Sequence, residues 1–340
     1  MANDVKVVIE VAKASPRAGF GYPLIFAGMQ ESAVAYKEVG SLAEVVTAGF
    51  AAESEVYKAA SLLFMQENAP SKIAVCASTD ATVTALPAIL HEGWRQLVVV
   101  SVGTEGESTA DAISKYIEAC GKHALYFTSL NTVTDATIKE SLLTGVAGNN
   151  RTVIVAYNSD DTACPEAAIV GATAGMDVGS FTYKNIILKG VSAQSFTEAE
   201  IESFHEAGMI TILKKAGSIV TSEGIAVSGE YIDIMDSKDY IIEQIEYQCQ
   251  SLLNRVPKLP YDNRGIASLE GVVLSVLKDA ANNGMIAVNA EGDYDYSVTF
   301  LPRSECAGAD ISTRHYAEGS FEFALAGAIH TAKIVGTILA

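Results

Sequence analysis

The sequence predicts an α/β protein: an open, mostly parallel sheet with flanking helices in its N-terminal part, an α+β C-terminal part, and extended β-strand arms at the two termini. Three observations predict it. From Leu24 to about Gly175, short apolar runs alternate with amphipathic helical segments, the signature of βαβ units whose strands are covered on both faces. After Gly175 the texture changes to a turn-rich stretch followed by two long helical segments. Both ends of the chain carry apolar residues at a spacing of two, the period of a strand.

Residues 4–13 place Val5, Val7, Ile9 and Val11 on one side of an alternating segment, a strand pattern. Ser15-Pro16, Gly19 and Gly21 break it before the body begins near Tyr22, so this strand can stand apart from that body. Strands are then expected at 24–27, 73–76, 97–102, 124–128 and 152–157. Between them, 53–66 sets Val56, Ala59, Ala60, Leu63 and Phe64 on one helical face, and 109–119 does the same with Ala112, Ile113, Tyr116 and Ile117. Beyond Gly175 the reading is strands at 185–190 and 211–213, turns over 215–229, and helices at about 237–255 and 265–282. Pro257 and Pro260 hold the link between those helices extended. Alternation returns at 297–301, at Phe321, Phe323 and Leu325, and from Ile329 to Ile338. The expected division is an arm over 1–18, an α/β domain over 19–180, an α+β domain over 181–318, and C-terminal strands with a second arm over 319–340. Such terminal strands either pair within their own domain or leave it to complete a sheet in a neighbouring molecule.

A chain of 340 residues, 49% hydrophobic and 19% charged, has enough apolar surface to form a compact core. The mean hydropathy is +0.23, yet the longest apolar runs are strand-sized rather than the roughly 20 residues that span a bilayer. Membrane insertion is therefore not expected. The opening Met1-Ala2-Asn3-Asp4 has neither the basic nor the apolar region of a secretory signal, and synthesis in the cytosol is expected. A formal charge of −18 repels a phosphate backbone and argues against direct nucleic-acid binding. Cys76, Cys120, Cys164, Cys249 and Cys306 are scattered without a C-x-x-C pair and read as buried reduced thiols.

A doubly wound sheet raises the alternative of a soluble α/β enzyme or nucleotide-binding module. No G-x-G-x-x-G follows a first strand and no G-x-x-x-x-G-K-[ST] occurs; the nearest glycine clusters are 103–106 and 171–175. His91, His123, His205, His315 and His330 are isolated from one another, and neither H-E-x-x-H nor G-x-S-x-G is present. Asn158-Ser159-Asp160-Asp161, after the strand at 152–157, offers carboxylates for a divalent ion, but two Asp in such a loop are more often solvated turn residues. No catalytic, cofactor-binding or metal-binding set is nominated.

Several local patterns occur in a characteristic order. Ser41-Leu42-Ala43-Glu44-Val45 precedes Gly49-Phe50, Ser54-Glu55-Val56-Tyr57-Lys58-Ala59-Ala60, Phe64 and Gln66. Ala168-Ile169-Val170-Gly171-Ala172-Thr173-Ala174-Gly175-Met176-Asp177 comes next, with Gly179-Ser180. The C-terminal half adds the segment from Tyr231 to Tyr240, then Lys258-Leu259-Pro260-Tyr261-Asp262-Asn263-Arg264-Gly265-Ile266, Asp310-Ile311-Ser312-Thr313-Arg314, and Leu325-Ala326-Gly327-Ala328-Ile329-His330. In this order the chain resembles the contractile tail sheath proteins of bacteriophages and phage-tail-like particles, in compact form.

That resemblance implies a structural protein of a virion tail or headless particle, assembled in a bacterial host cytoplasm. It implies stacked hexameric rings around an inner tail tube, with baseplate and tail terminator proteins as further partners and no cofactor. On contraction the subunits would swing outward while terminal arms kept them linked, driving the tube through a cell envelope. The arm strands would then be Val5, Val7, Ile9 and Val11 at one end and Ile329, Ala332, Ile334, Val335 and Ile338 at the other. Gly19, Gly21, Gly319, Gly327 and Gly336 would supply hinges. The family's tube-facing surface lies in its C-terminal region, which makes Lys238, Arg255, Lys258, Arg264 and Lys278 candidate tube contacts; singly, each also reads as an ordinary solvated charge.

Overall fold

The computed structural model describes residues 20–100, 107–130, 145–146, 148–158 and 164–331. The described residues begin with β1 (Tyr22–Ala27) and β2 (Val34–Val39), then α1 (Leu42–Ala48), α2 (Glu55–Phe64), β3 (Ile73–Ala77), α3 (Thr82–Ala85) and β4 (Trp94–Val100). There follow α4 (Glu107–Ala119), β5 (Leu125–Leu130), β6 (Thr152–Ala156), α5 (Pro165–Thr173), α6 (Glu198–Glu206), β7 (Met209–Lys215) and β8 (Ser218–Thr221). The rest comprises α7 (Ile232–Arg255), α8 (Asn263–Asn282), β9 (Tyr296–Phe300), α9 (Gly308–Thr313) and β10 (Gly319–Phe323).

Among the described residues eight strands form one sheet in the order β2-β3-β1-β4-β5-β6-β7-β8. Its inner strands are all parallel, and antiparallel β2 and β8 close its two sides. The apolar runs are continuous because both faces are covered. Ile25 aligns with Val75 and Val98 on the face packed by α2 and α5, while Leu24 aligns with Ala74 and Leu97 on the face packed by α4. Each such Val, Leu or Ile side chain contributes roughly 1.5–3 kcal/mol on burial.

Helix starts follow local chemistry. Ser41 and Ser54 accept from backbone N–H groups of Glu44 and Tyr57, and Thr197 forms a reciprocal capping box with Glu200. The crossing of α2 and α5 explains the Gly/Ala-rich segment: a Cβ on Gly171 would lie 2.4 Å from the Leu63 carbonyl oxygen, and one on Gly175 2.1 Å from that of Asn68. Gly171 brings two helix backbones together, and Gly175, just past α5, lets the chain pass close to the residues that follow α2.

Two local expectations need correction, and one strand was not expected at all. Residues 185–190 are not a regular strand; Ile187 makes one isolated bridge to Val220, and Asn185 and Gly190 have φ of +60° and +75°, which breaks the extended run. The stretch expected to be turn-rich contains β8, joined to β7 through Ala216 and Gly217 in the left-handed region (φ +48° and +88°), the backbone sense of a tight hairpin. The strand β2 has no apolar run, because residues such as Lys37 and Glu38 are exposed at the sheet edge.

The helices α7 and α8 pack together through a cluster that includes Ile241 of α7, and the hairpin of β9 and β10 lies against α8 around Val273, Val276 and Leu277. Helix α7 starts at Ile232, before the expected Ser237, because its first turns bury polar Asp236, Ser237 and Asp239 as well as Met235. No helix among the described residues is long and apolar enough to cross a membrane.

Candidate assembly interface

The β9–β10 hairpin pairs Gly319 with Phe300 and Phe323 with Tyr296. Tyr296, Val298, Phe300 and Phe323 pack on the α7–α8 cluster, while Phe321 is 37% exposed. Among the described residues each of these strands has only the other as a strand partner. A two-stranded sheet is marginal in water, and an open edge is a template for another strand. Past β10 the chain is held by the segment after α8: Ala287 N–H donates to the Ala324 carbonyl at 2.8 Å, and Ala326 N–H to that of Met285 at 2.9 Å.

Val5, Val7, Ile9, Val11 and Gly19 at one end, and Ala332, Ile334, Val335, Gly336 and Ile338 at the other, lie outside the described residues. Ile329 is 90% exposed. Gly327 stands in open space, whereas Gly21 has φ +74° and a Cβ there would lie 2.6 Å from that of Arg95. Gly21 thus marks a close approach where the chain enters the body. Lys238, Arg255, Lys258, Arg264 and Lys278 are all exposed. Arg255, Lys258 and Arg264 fall around the connection of the α7–α8 hairpin, with Lys238 and Lys278 farther along its two helices. Arg264 pairs with the capping Asp262 at 3.1 Å. The fold adds Arg303 beside this connection, where it donates to the Tyr261 carbonyl; a cleft of about 580 Å³ is lined by Asp262, Asn263, Arg264, Arg303 and Ser304. Arg303 carried no sequence signal because some 40 residues separate it from Asn263, whose side chain accepts from its backbone N–H.

A buried ion cluster joins the sheet to α7. The Arg95 guanidinium, 3% exposed, donates to Asp236 and, at 3.2 Å, to Asp239. Arg151 donates twice to Asp239, at 2.7 and 3.0 Å. Burial alone would raise the Asp239 carboxyl, but the Arg151 hydrogen bonds and the charges of Arg95 and Arg151 outweigh it and hold its pKa below the ordinary value. Sequence reasoning missed this cluster, whose members lie on β4, before β6 and on α7.

Glycines 103–106 and residues 159–161 lie outside the described residues. Among the described residues no group of three or more His, Cys, Asp and Glu side chains is arranged to hold a metal. The residues brought together are strand edges, apolar hairpin faces and charged helix ends, an arrangement suited to protein contacts.

No protein-family model matches the sequence, and no curated protein is significantly similar to it. Solved structures are similar along the whole chain. A chain of the anti-feeding prophage baseplate is 16% identical, with a TM-score of 0.74 over 100% of both chains. A chain of that particle's helical sheath in the contracted state is 16% identical, with a TM-score of 0.70 over 100% of this chain and 99% of that one. A chain of the contracted sheath complex of an extracellular contractile injection system is 14% identical, with a TM-score of 0.71 over 99% of this chain and 98% of that one. At these identities the likeness establishes the fold: an α/β sheet followed by an α+β region, in the arrangement of contractile sheath chains.

Proposed function

We propose that this chain is the structural subunit of a contractile sheath, polymerising as stacked hexameric rings around an inner tube and contracting to drive the tube through a cell envelope. The observation that carries this reading is its end-to-end likeness to a helical sheath chain in the contracted state. Likeness to a chain of a six-fold symmetrised baseplate supports rings of six and a baseplate neighbour. The tube, the terminator and a place in a virion tail or phage-tail-like particle belong to the same proposal, as does assembly in a bacterial cytoplasm.

In this reading 1–18 is the N-terminal linking arm and 319–340 carries the C-terminal strands and arm, on either side of an α/β domain (19–180) and an α+β domain (181–318). The arm strands of neighbours would add to the open edges of β9 and β10, each backbone hydrogen bond contributing about 0.5–1.5 kcal/mol net. Such links survive large rotations of the bodies because they depend on backbone pairing within the added sheet. Lys238, Arg255, Lys258, Arg264 and Lys278 are the proposed tube-facing charges.

Negative-stain electron microscopy of the purified full-length chain tests the proposal. Hollow, ridged cylinders of six-fold character are expected; a uniform field of small particles at high concentration would overturn it. Deleting residues 1–14, or those after Gly327, is expected to leave a folded subunit that no longer forms cylinders. Loss of folding would instead assign these segments to the subunit's own core.

A further inference from the structure

Phe20 and His330 stand near the two ends of the described residues, and a series of contacts connects them. The Arg95 guanidinium lies 3.9 Å over the Phe20 ring, which also meets the Tyr240 ring edge-on at 5.5 Å. On its other side Arg95 donates to Asp236, whose second carboxylate oxygen accepts from the Tyr183 hydroxyl at 2.8 Å. Tyr183 is fully buried. The adjoining Thr182 meets His330: its Oγ1 is 2.9 Å from Nε2 of the imidazole. Oε1 of Glu223 lies 2.7 Å from Nδ1 of His330, and the imidazole meets the Tyr231 ring edge-on at 4.8 Å.

We propose that the two termini of one subunit are coupled through this relay, so that loosening the root of one loosens the root of the other. Physically, Arg95, Asp236 and Tyr183 are buried and Phe20, Thr182 and His330 are half-buried; in the buried centre, where the effective dielectric is low, such networks are strong and losing one member leaves a buried partner unsatisfied. Phe20 shields Arg95 from water; without it the Arg95–Asp236 pair is screened, and Asp236 holds Tyr183 less firmly. Tyr183 and Thr182 share a backbone, so a shift at one alters the distance from Thr182 to His330. That this coupling links neighbours along a polymer rests on the sheath reading; the coupling within one chain does not.

Hydrogen exchange on the full-length chain, below the concentration at which it assembles, tests the relay. Phe20→Ala is expected to raise exchange at residues 324–331, and His330→Ala at residues 20–24, each by about threefold or more, the scale of a coupling between sites in one network. Tyr183→Phe, which removes only the hydroxyl, is expected to abolish both cross-effects while amides of β4 and β6 stay protected. Effects confined to the substituted end would overturn the proposal. Phe20 and His330 lie at the edge of the network, so their cross-effects decide the matter even where Tyr183→Phe lowers core stability. Microscopy of the same samples at high concentration reads the sheath proposal separately.

Discussion

Glu166 lies in the first turn of α5 with its carboxyl enclosed, and burial pushes its pKa from the ordinary 4.5 up to about 7 against the opposing hydrogen bonds, including those with Ser129 and Cys164. Between those two values the unfolded chain has lost this proton and the folded chain keeps it. Folding therefore takes up a proton, and Glu166's contribution falls as pH rises through the window, by on the order of 3 kcal/mol in all. Urea midpoints measured at about pH 5 and about pH 7.5 are expected to fall less with pH in Glu166→Gln than in the parent. An equal decline in both proteins would assign the pH dependence to other groups.

At the scale of elements, two helical glycines make opposite predictions. Gly171 lies at the α2–α5 crossing, where a Cβ would sit 2.4 Å from the Leu63 carbonyl oxygen; Gly271, within α8, has nothing within 4 Å of that position. Gly171→Ala is expected to destabilise the fold by about 1–3 kcal/mol through overpacking. Gly271→Ala is expected to stabilise it by up to about 1 kcal/mol through helix propensity. Denaturant titration of both variants checks the pair, and equal effects would mean that the crossing relaxes to admit a methyl group.

For the whole molecule, a formal charge of −18 per chain means that stacking copies brings like charges together. Raising ionic strength from about 0.01 to about 0.15 M shortens the screening length from about 30 to about 8 Å. Assembly into cylinders is therefore expected to begin at a lower protein concentration in the higher salt, as read by pelleting. A higher threshold would mean that attraction between opposite charges, such as Arg264 and Arg303 with a neighbour's carboxylates, dominates the contact.

The sequence by itself determined those features whose cause is local. The runs at β1, β3, β4, β5 and β6 are apolar because both faces of an inner parallel strand are covered, so the α/β class was legible in them. The long helices were legible from their spacing, and the order of motifs carried the resemblance to contractile sheath proteins that the fold upholds. Only the tertiary structure decided the strand order, the edge strands β2 and β8, and the open hairpin of β9 and β10. It alone brought Arg95 to Asp236, 141 positions away, and Thr182 to His330, 148 positions away. The physical reason is range: periodicity and capping act over a few residues, whereas a buried charge or an exposed edge is defined by whatever the folded chain sets beside it.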